Sequence, residues 1–112
     1  MKREELKTRQ PYFQAVWEGI KRFELRRDDL PFFVGDILLL REVTKEIDYT
    51  GRSIEARVTY SLHPGEVEGL KQGFVVLGIE TIECYPEPIK AKFTLIDRLF
   101  IRAVGFCLGV LR

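Results

Sequence analysis

Between Ser53 and Leu62 the chain alternates without interruption, with Ile54, Ala56, Val58 and Tyr60 on one side and Glu55, Arg57 and Thr59 on the other. Successive side chains of an extended strand point to opposite faces, so this run reads as a strand with the first set facing in and the second facing out. Such a strand needs neighbours, because an isolated pair of strands is marginal in water. The remaining sequence offers several. Ile37 to Leu40 is an unbroken apolar run continuing into Arg41-Glu42-Val43, the pattern of a strand buried on both sides at its start. Phe74 to Ile79 is another, with Gly78 at a bulge or a close backbone approach. Turn signals separate them: Asp28-Asp29-Leu30-Pro31, Gly35-Asp36, the polar excursion from Lys45 to Arg52 with Thr50-Gly51, and His63-Pro64-Gly65. Residues 66–73 read as a loop or a single helical turn.

The N-terminal quarter departs from this pattern once. Residues 3–8 read as a short, weakly apolar strand, and Pro11 fits the first turn of a helix, where its missing N–H costs nothing. Phe13, Val16, Trp17 and Ile20 fall at i, i+3, i+4 and i+7, a single helical stripe, and Gly19 is a natural helix end. A helix over 11–18 with Trp17 in the core is therefore expected. One short helix among many short strands predicts a mainly β (α+β) fold, a small curved sheet or barrel with the helix plugging one end.

The stretch from Gly19 to Arg27 carries most of the chemistry. On a strand, Arg22, Glu24 and Arg26 share one face and Phe23 and Leu25 the other, while Lys21 sits where the chain is still turning out of the helix. A carboxylate between guanidinium groups is either a surface ion-pair ladder, contributing under about 1 kcal/mol, or the floor of an anion-binding cleft. Arg26 presents a planar fork that suits phosphate or carboxylate, and Lys21 is a compact charge that Glu24 could hold in place. Lys7, Arg9, Arg22 and Arg27 would extend a basic rim able to track a phosphate backbone, or be solvated charge. Tyr12, ahead of the apolar stripe, is the better candidate to stack on an unpaired base, whereas the phase of Tyr60 assigns it to the core.

These segments resemble the ASCH domain, a branch of the PUA-like superfamily. The resemblance rests on Gly19-x-Lys21-x-x-Glu24-x-Arg26 following a short helix. It is joined by Leu6-Lys7-x-x-Gln10-Pro11-Tyr12 upstream, Val34-Gly35-Asp36-Ile37-Leu38 at a strand opening, Tyr49-Thr50-Gly51-Arg52, and Gly73-Phe74-Val75-Val76-Leu77. It covers about residues 4–79, and the last two segments look like pieces of a small prokaryotic and phage ASCH-like subfamily of unknown function. It implies a PUA-like β-barrel with a cleft beside the signature and a role in binding RNA or a nucleotide; together with the residue reading above, the expected binding set is Lys7, Tyr12, Lys21, Arg22, Glu24, Arg26 and Arg27. One ASCH-like branch is similar to an amidohydrolase of N4-acetylcytidine that uses a lysine, a threonine three positions on and a distant glutamate. Lys21 matches that lysine, but Glu24 stands at the threonine position, so the hydroxyl nucleophile is missing. For an enzyme the catalytic pair would be Lys21 and Glu24, with Glu66 or Glu68 as the distant acid.

The domain is expected to occupy residues 1–80, followed by an extended linker over 81–90, where Pro86 and Pro88 exclude a helix. Residues 91–112 form an apolar tail with a helical polar face of Thr94, Arg98, Arg102, Gly105, Gly109 and Arg112. Asp97, Arg98 and Arg102 argue against a membrane span. The tail could dock on the domain or on a second copy, making a homo-oligomer, join a partner so that the chain acts as an adaptor, lie on a membrane surface, or be poorly ordered or strand-like. A net charge of +1 over 112 residues excludes a global field that would coat nucleic acid, although the region before Asp28 is locally basic. Cys84 and Cys107 have no metal-ligand spacing, and His63 stands alone beside a turn. The expectations are therefore free thiols in the cytoplasm, with one disulfide as the alternative, no metal and no cofactor, and RNA or a small nucleotide-like ligand as the partner.

Overall fold

The computed structural model describes residues 2–45 and 48–88. β1 (Arg3–Arg9) leads directly into α1 (Gln10–Trp17), and β2 (Phe23–Arg27), β3 (Ile37–Val43), β4 (Tyr49–Leu62) and β5 (Phe74–Tyr85) follow. All five strands join one sheet in the order β1-β3-β4-β5-β2. The β1–β3 pair is parallel and the other three pairs are antiparallel. The fold is mainly β, with one short helix, as expected. The sheet curls into a half-barrel around Phe13, Leu38, Leu40, Ile54, Val58 and Leu77, all fully buried.

α1 closes one end of this curl. Pro11 lies in its first turn, and Phe13, Val16 and Trp17 are buried, with the Phe13 and Trp17 rings 5.8 Å apart. Ile20, by contrast, is exposed. The helix stops at Trp17, and Gly19 at φ 80° reverses the chain, so Ile20 has already left the helical stripe. That reversal lets the Ile20 and Lys21 amides both donate to the Ala15 carbonyl, at 2.9 and 3.0 Å. A side-chain-bearing residue at Gly19 would be strained in the left-handed region. At the start of β3, the buried Asp36 carboxylate accepts from the amides of Lys2 and Phe33, which fixes where β1 and β3 begin.

β4 corrects the simple alternation. Ile54, Ala56 and Val58 are buried, but Tyr60 is exposed and Glu55 is buried. The register against β5 slips between Val58 and Tyr60 and again between Glu55 and Ala56. A bulge inserts an unpaired residue and reverses the phase beyond it, so Tyr60 turns outward. Glu55 stays covered because its carboxylate accepts from Arg3 and from the Tyr85 hydroxyl at 3.0 and 3.1 Å. Beside the slip at Val58 and Tyr60, a Cβ on Gly78 would stand 3.1 Å from Thr59 Oγ1 and 3.3 Å from Tyr60 Cβ, which is the close approach expected there.

β5 also runs past Glu80 to Tyr85, which pairs with Ser53. Five residues of the expected linker thus belong to the sheet. The expected C-terminal helix, and Cys107 with it, lie outside the described residues. Among the described residues, no helix is long and apolar enough to cross a membrane.

Candidate functional site

β1 and β2 are the two ends of the strand order, and the curl brings their free edges towards each other. Between them lies a cleft of about 680 Å³, bordered by Lys7, Thr8 and Arg9 of β1, Tyr12 of α1, Ile20 and Lys21 of the connection, and Phe23, Glu24, Leu25 and Arg26 of β2.

The floor is a charged cluster. β2 turns Glu24 and Arg26 towards the inside of the curl and leaves Phe23 and Leu25 about half exposed. Strand phase separates these two sets, but hydrophobicity alone would have placed the apolar set inward. The inversion is sustained because the buried Glu24 carboxylate has both oxygens occupied. Lys21 Nζ donates to Oε1 at 2.9 Å, and Arg26 donates to Oε2 from Nε at 3.0 Å, with its Nη2 2.9 Å from the same oxygen. A buried carboxylate is tolerable only when paired in this way. Lys21 Nζ also donates to the Phe23 carbonyl at 2.6 Å. Arg26 Nη2 reaches across the seam to the Lys7 carbonyl and Thr8 Oγ1, at 2.9 and 3.1 Å.

Two donors at this floor remain unspent. Lys21 carries three N–H groups and uses two, and Arg26 Nη1 has no protein acceptor among the described residues. Two cations around one carboxylate leave an excess positive charge. Arg9, at the mouth, has no acidic partner among the described residues. The walls are flat and apolar. Phe23 lies under Lys21 Nζ at 4.7 Å, and Tyr12 is exposed with its ring 6.0 Å from the same nitrogen.

Of the residues expected at a site, Lys7, Tyr12, Lys21, Glu24 and Arg26 border the cleft, together with Arg9 from the expected basic rim. Lys7 contributes its carbonyl to the seam, while its ammonium lies 6.0 Å from the Tyr49 ring. Arg22 and Arg27 do not border it: Arg22 Nε donates to the Gly19 carbonyl at 3.1 Å, and the Arg27 guanidinium sits 5.4 Å from the Phe74 ring. Glu66 and Glu68 are exposed, and Glu66 accepts from the His63 amide at 2.6 Å in its own loop.

A second buried carboxylate lies outside the set expected from sequence. Glu42 of β3 is covered, and Arg52 clamps it with Nε and Nη2 donating to its two oxygens, each at 2.8 Å. Thr50 Oγ1 donates at 2.6 Å. Arg52 also donates to Gln14 Oε1 at 2.9 Å and lies over the rings of Phe13 and Trp17, at 5.1 and 4.7 Å. The Arg52 hydrogen bonds, against the upward push of burial and with help from Thr50 and Gln10, hold the Glu42 carboxyl below the ordinary carboxylate range. Glu42 in turn raises Arg52. This network fastens α1 to β3 and β4. Its signal in the sequence was Glu42 itself, a charge at the inward phase of Leu38 and Leu40 that needs a buried cation.

Residues 4–79 match the family described as "Domain of unknown function (DUF3850)". A curated relative from Escherichia phage P2, "Uncharacterized 12.9 kDa protein in GpA 3'region", is 44% identical over 55 residues, spanning 49% of this chain and 50% of the relative. The chain thus covers about half the length of that protein.

Proposed function

The chain belongs to this family of unknown function, and from the geometry of its cleft we propose that it is a binding module for a nucleotide or a short stretch of RNA. One observation carries the reading. The cleft combines a floor with excess positive charge and unspent Lys21 and Arg26 donors with flat walls from Tyr12 and Phe23. Anionic groups suit the floor and planar rings suit the walls, and a nucleotide supplies both. The resemblance to the ASCH domain points the same way. A phosphate would take the third Lys21 proton and Arg26 Nη1, and a base would lie against Tyr12.

The near-neutral net charge favours a local contact over coating of a long strand. The hydrolase alternative, with Lys21 and Glu24 as the catalytic pair, has no matching arrangement: Glu24 is fully engaged by Lys21 and Arg26, and Glu66 and Glu68 lie away from the cleft.

The test is a chemical-shift titration of the labelled protein with mononucleotides and with short single-stranded RNA at two salt concentrations. Shifts centred on Tyr12, Lys21, Phe23 and Arg26 that shrink with salt are expected. Arg9→Glu, which touches no buried group, should weaken binding by about tenfold, equivalent to about 1.4 kcal/mol. Titrations that leave the cleft resonances unmoved would remove this function.

A further inference from the structure

β2 is an edge strand, so its outward side chains belong to two surfaces at once. Phe23 and Leu25 border the cleft, and they also begin the outer face of the sheet. On that face Phe23 pairs with Gly78, which pairs with Tyr60, and Leu25 pairs with Val76, which pairs with Leu62. The first row is two aromatic residues flanking a glycine. Adjacent strands are about 4.8 Å apart, so Phe23 and Tyr60 start about 10 Å from each other across Gly78, with Thr59 Oγ1 and Tyr60 Cβ bordering the place of its missing side chain. A planar ring held above this row, between the two aromatic side chains, is within stacking reach of both, at about 5 Å between ring centroids on each side. Phe23 and Tyr60 are 49% and 62% exposed, and Tyr60 makes no side-chain hydrogen bond among the described residues. Nothing in the fold requires an aromatic residue at 60, since its side chain points away from the core.

Charge brackets these rows. Arg22 continues the β2–β5 ladder beyond Phe23, its carbonyl accepting from the Ile79 amide at 3.0 Å, and Arg27 closes the other end of β2 beside Phe74. Neither arginine has an acidic partner among the described residues. The nearby Glu80 is already paired with Arg57, and Asp28 faces His63. The face is therefore aromatic and apolar in the middle, bordered by Arg27 on β2 and by Arg22 just before it, and continuous with the cleft through Phe23.

We propose that the outer face of β2, β5 and β4 is a stacking platform for unpaired bases of a single-stranded nucleic acid that leaves the cleft over Phe23, with one base seated between Phe23 and Tyr60. This extension rests on the cleft being a nucleotide site, and it gives that site its substrate class: a strand of several nucleotides instead of a free mononucleotide. Stacking is indifferent to base identity because every base has a π-face, so the platform adds affinity without sequence preference. Arg22 and Arg27 are then backbone contacts outside the cleft, which gives a role to two cations that the cleft leaves out.

The test compares the full chain with Tyr60→Ala, Tyr60→Phe and Arg9→Glu. Two probes are used, a short fluorescein-labelled single-stranded RNA and uridine monophosphate. Tyr60→Ala should weaken the RNA about 5- to 150-fold, the range for losing one base–aromatic stack, leave the mononucleotide unchanged, and be rescued by Tyr60→Phe. If Tyr60→Ala leaves RNA affinity intact while Arg9→Glu lowers it, the platform is refuted and the cleft reading survives. If neither probe binds the unsubstituted chain, both fall. If Tyr60→Ala changes the molecular mass in solution instead of the affinity, the face is a contact between copies or with another protein, and the platform is again refuted.

Discussion

Replacing Glu24 by glutamine should move stability and ligand affinity in opposite directions. The buried carboxylate of Glu24 accepts from Lys21 and Arg26, and its side chain is only 4% exposed against 16% and 23% for the two cations. Breaking a fully buried ion pair costs about 3–5 kcal/mol. Here both cations keep some contact with water and the amide can still accept one hydrogen bond, so a loss of about 2–3 kcal/mol is expected. The same change removes the one negative charge beneath the ligand. A phosphate on the outer protons of Lys21 and Arg26 would sit about 7 Å from that carboxylate, where repulsion is about 2 kcal/mol at an effective dielectric of about 20 and about 0.6 kcal/mol in bulk water. Binding of uridine monophosphate should therefore tighten by about 3- to 30-fold. Urea unfolding followed by Trp17 fluorescence reads the first quantity, and calorimetric titration of the folded variant reads the second. Affinity for uridine monophosphate that falls along with stability would refute the repulsion argument and show that Glu24 serves the cleft by holding Lys21 and Arg26 in position. Unchanged stability would show that the ion pairs are the surface ladder after all.

Two further predictions concern the Glu42–Arg52 clamp. Arg52→Met should cost about 3–5 kcal/mol in urea unfolding, because it strands a buried carboxylate. The double variant Glu42→Met/Arg52→Met should recover a good part of that loss; a double variant as unstable as the two single changes combined would refute the pairing. The acid limb gives an independent check. A carboxyl held low in the folded state adds stability that is complete above the unfolded value of about 4.3 and is lost as pH falls through the lower folded value. The protein should thus lose stability below about pH 4, and Arg52→Met should flatten that limb in thermal unfolding measured as a function of pH.

The elements were largely legible in the sequence, whereas the facing of several side chains was not. Phe13, Val16 and Trp17 declare the helix by spacing, and Ile54, Ala56 and Val58 declare β4 by alternation, because each signal depends on neighbours close in the chain. Tyr60 was misassigned because a bulge opposite Gly78 shifts the phase, and a bulge is a property of two strands read together. Ile20 continued the helical spacing but lies beyond the reversal at Gly19. For β2 the alternation separated Glu24 and Arg26 from Phe23 and Leu25, yet which set faces in depended on Lys7 and Thr8, brought from another strand to meet Arg26. Arg52 was visible only as part of a motif, since the carboxylate it serves sits on the preceding strand.

Arg26 joining β2 to the Lys7 carbonyl has a consequence for how the molecule is made. The two sides of the cleft are near in the chain, 19 residues apart at this contact, but β2 has no strand to lie against until β5 exists, since its ladder partners are residues 74–78. A nascent chain that has emerged only as far as β4 therefore has the signature residues without the cleft. The cleft is complete only once Phe74 to Gly78 have left the ribosome and given β2 its partner strand.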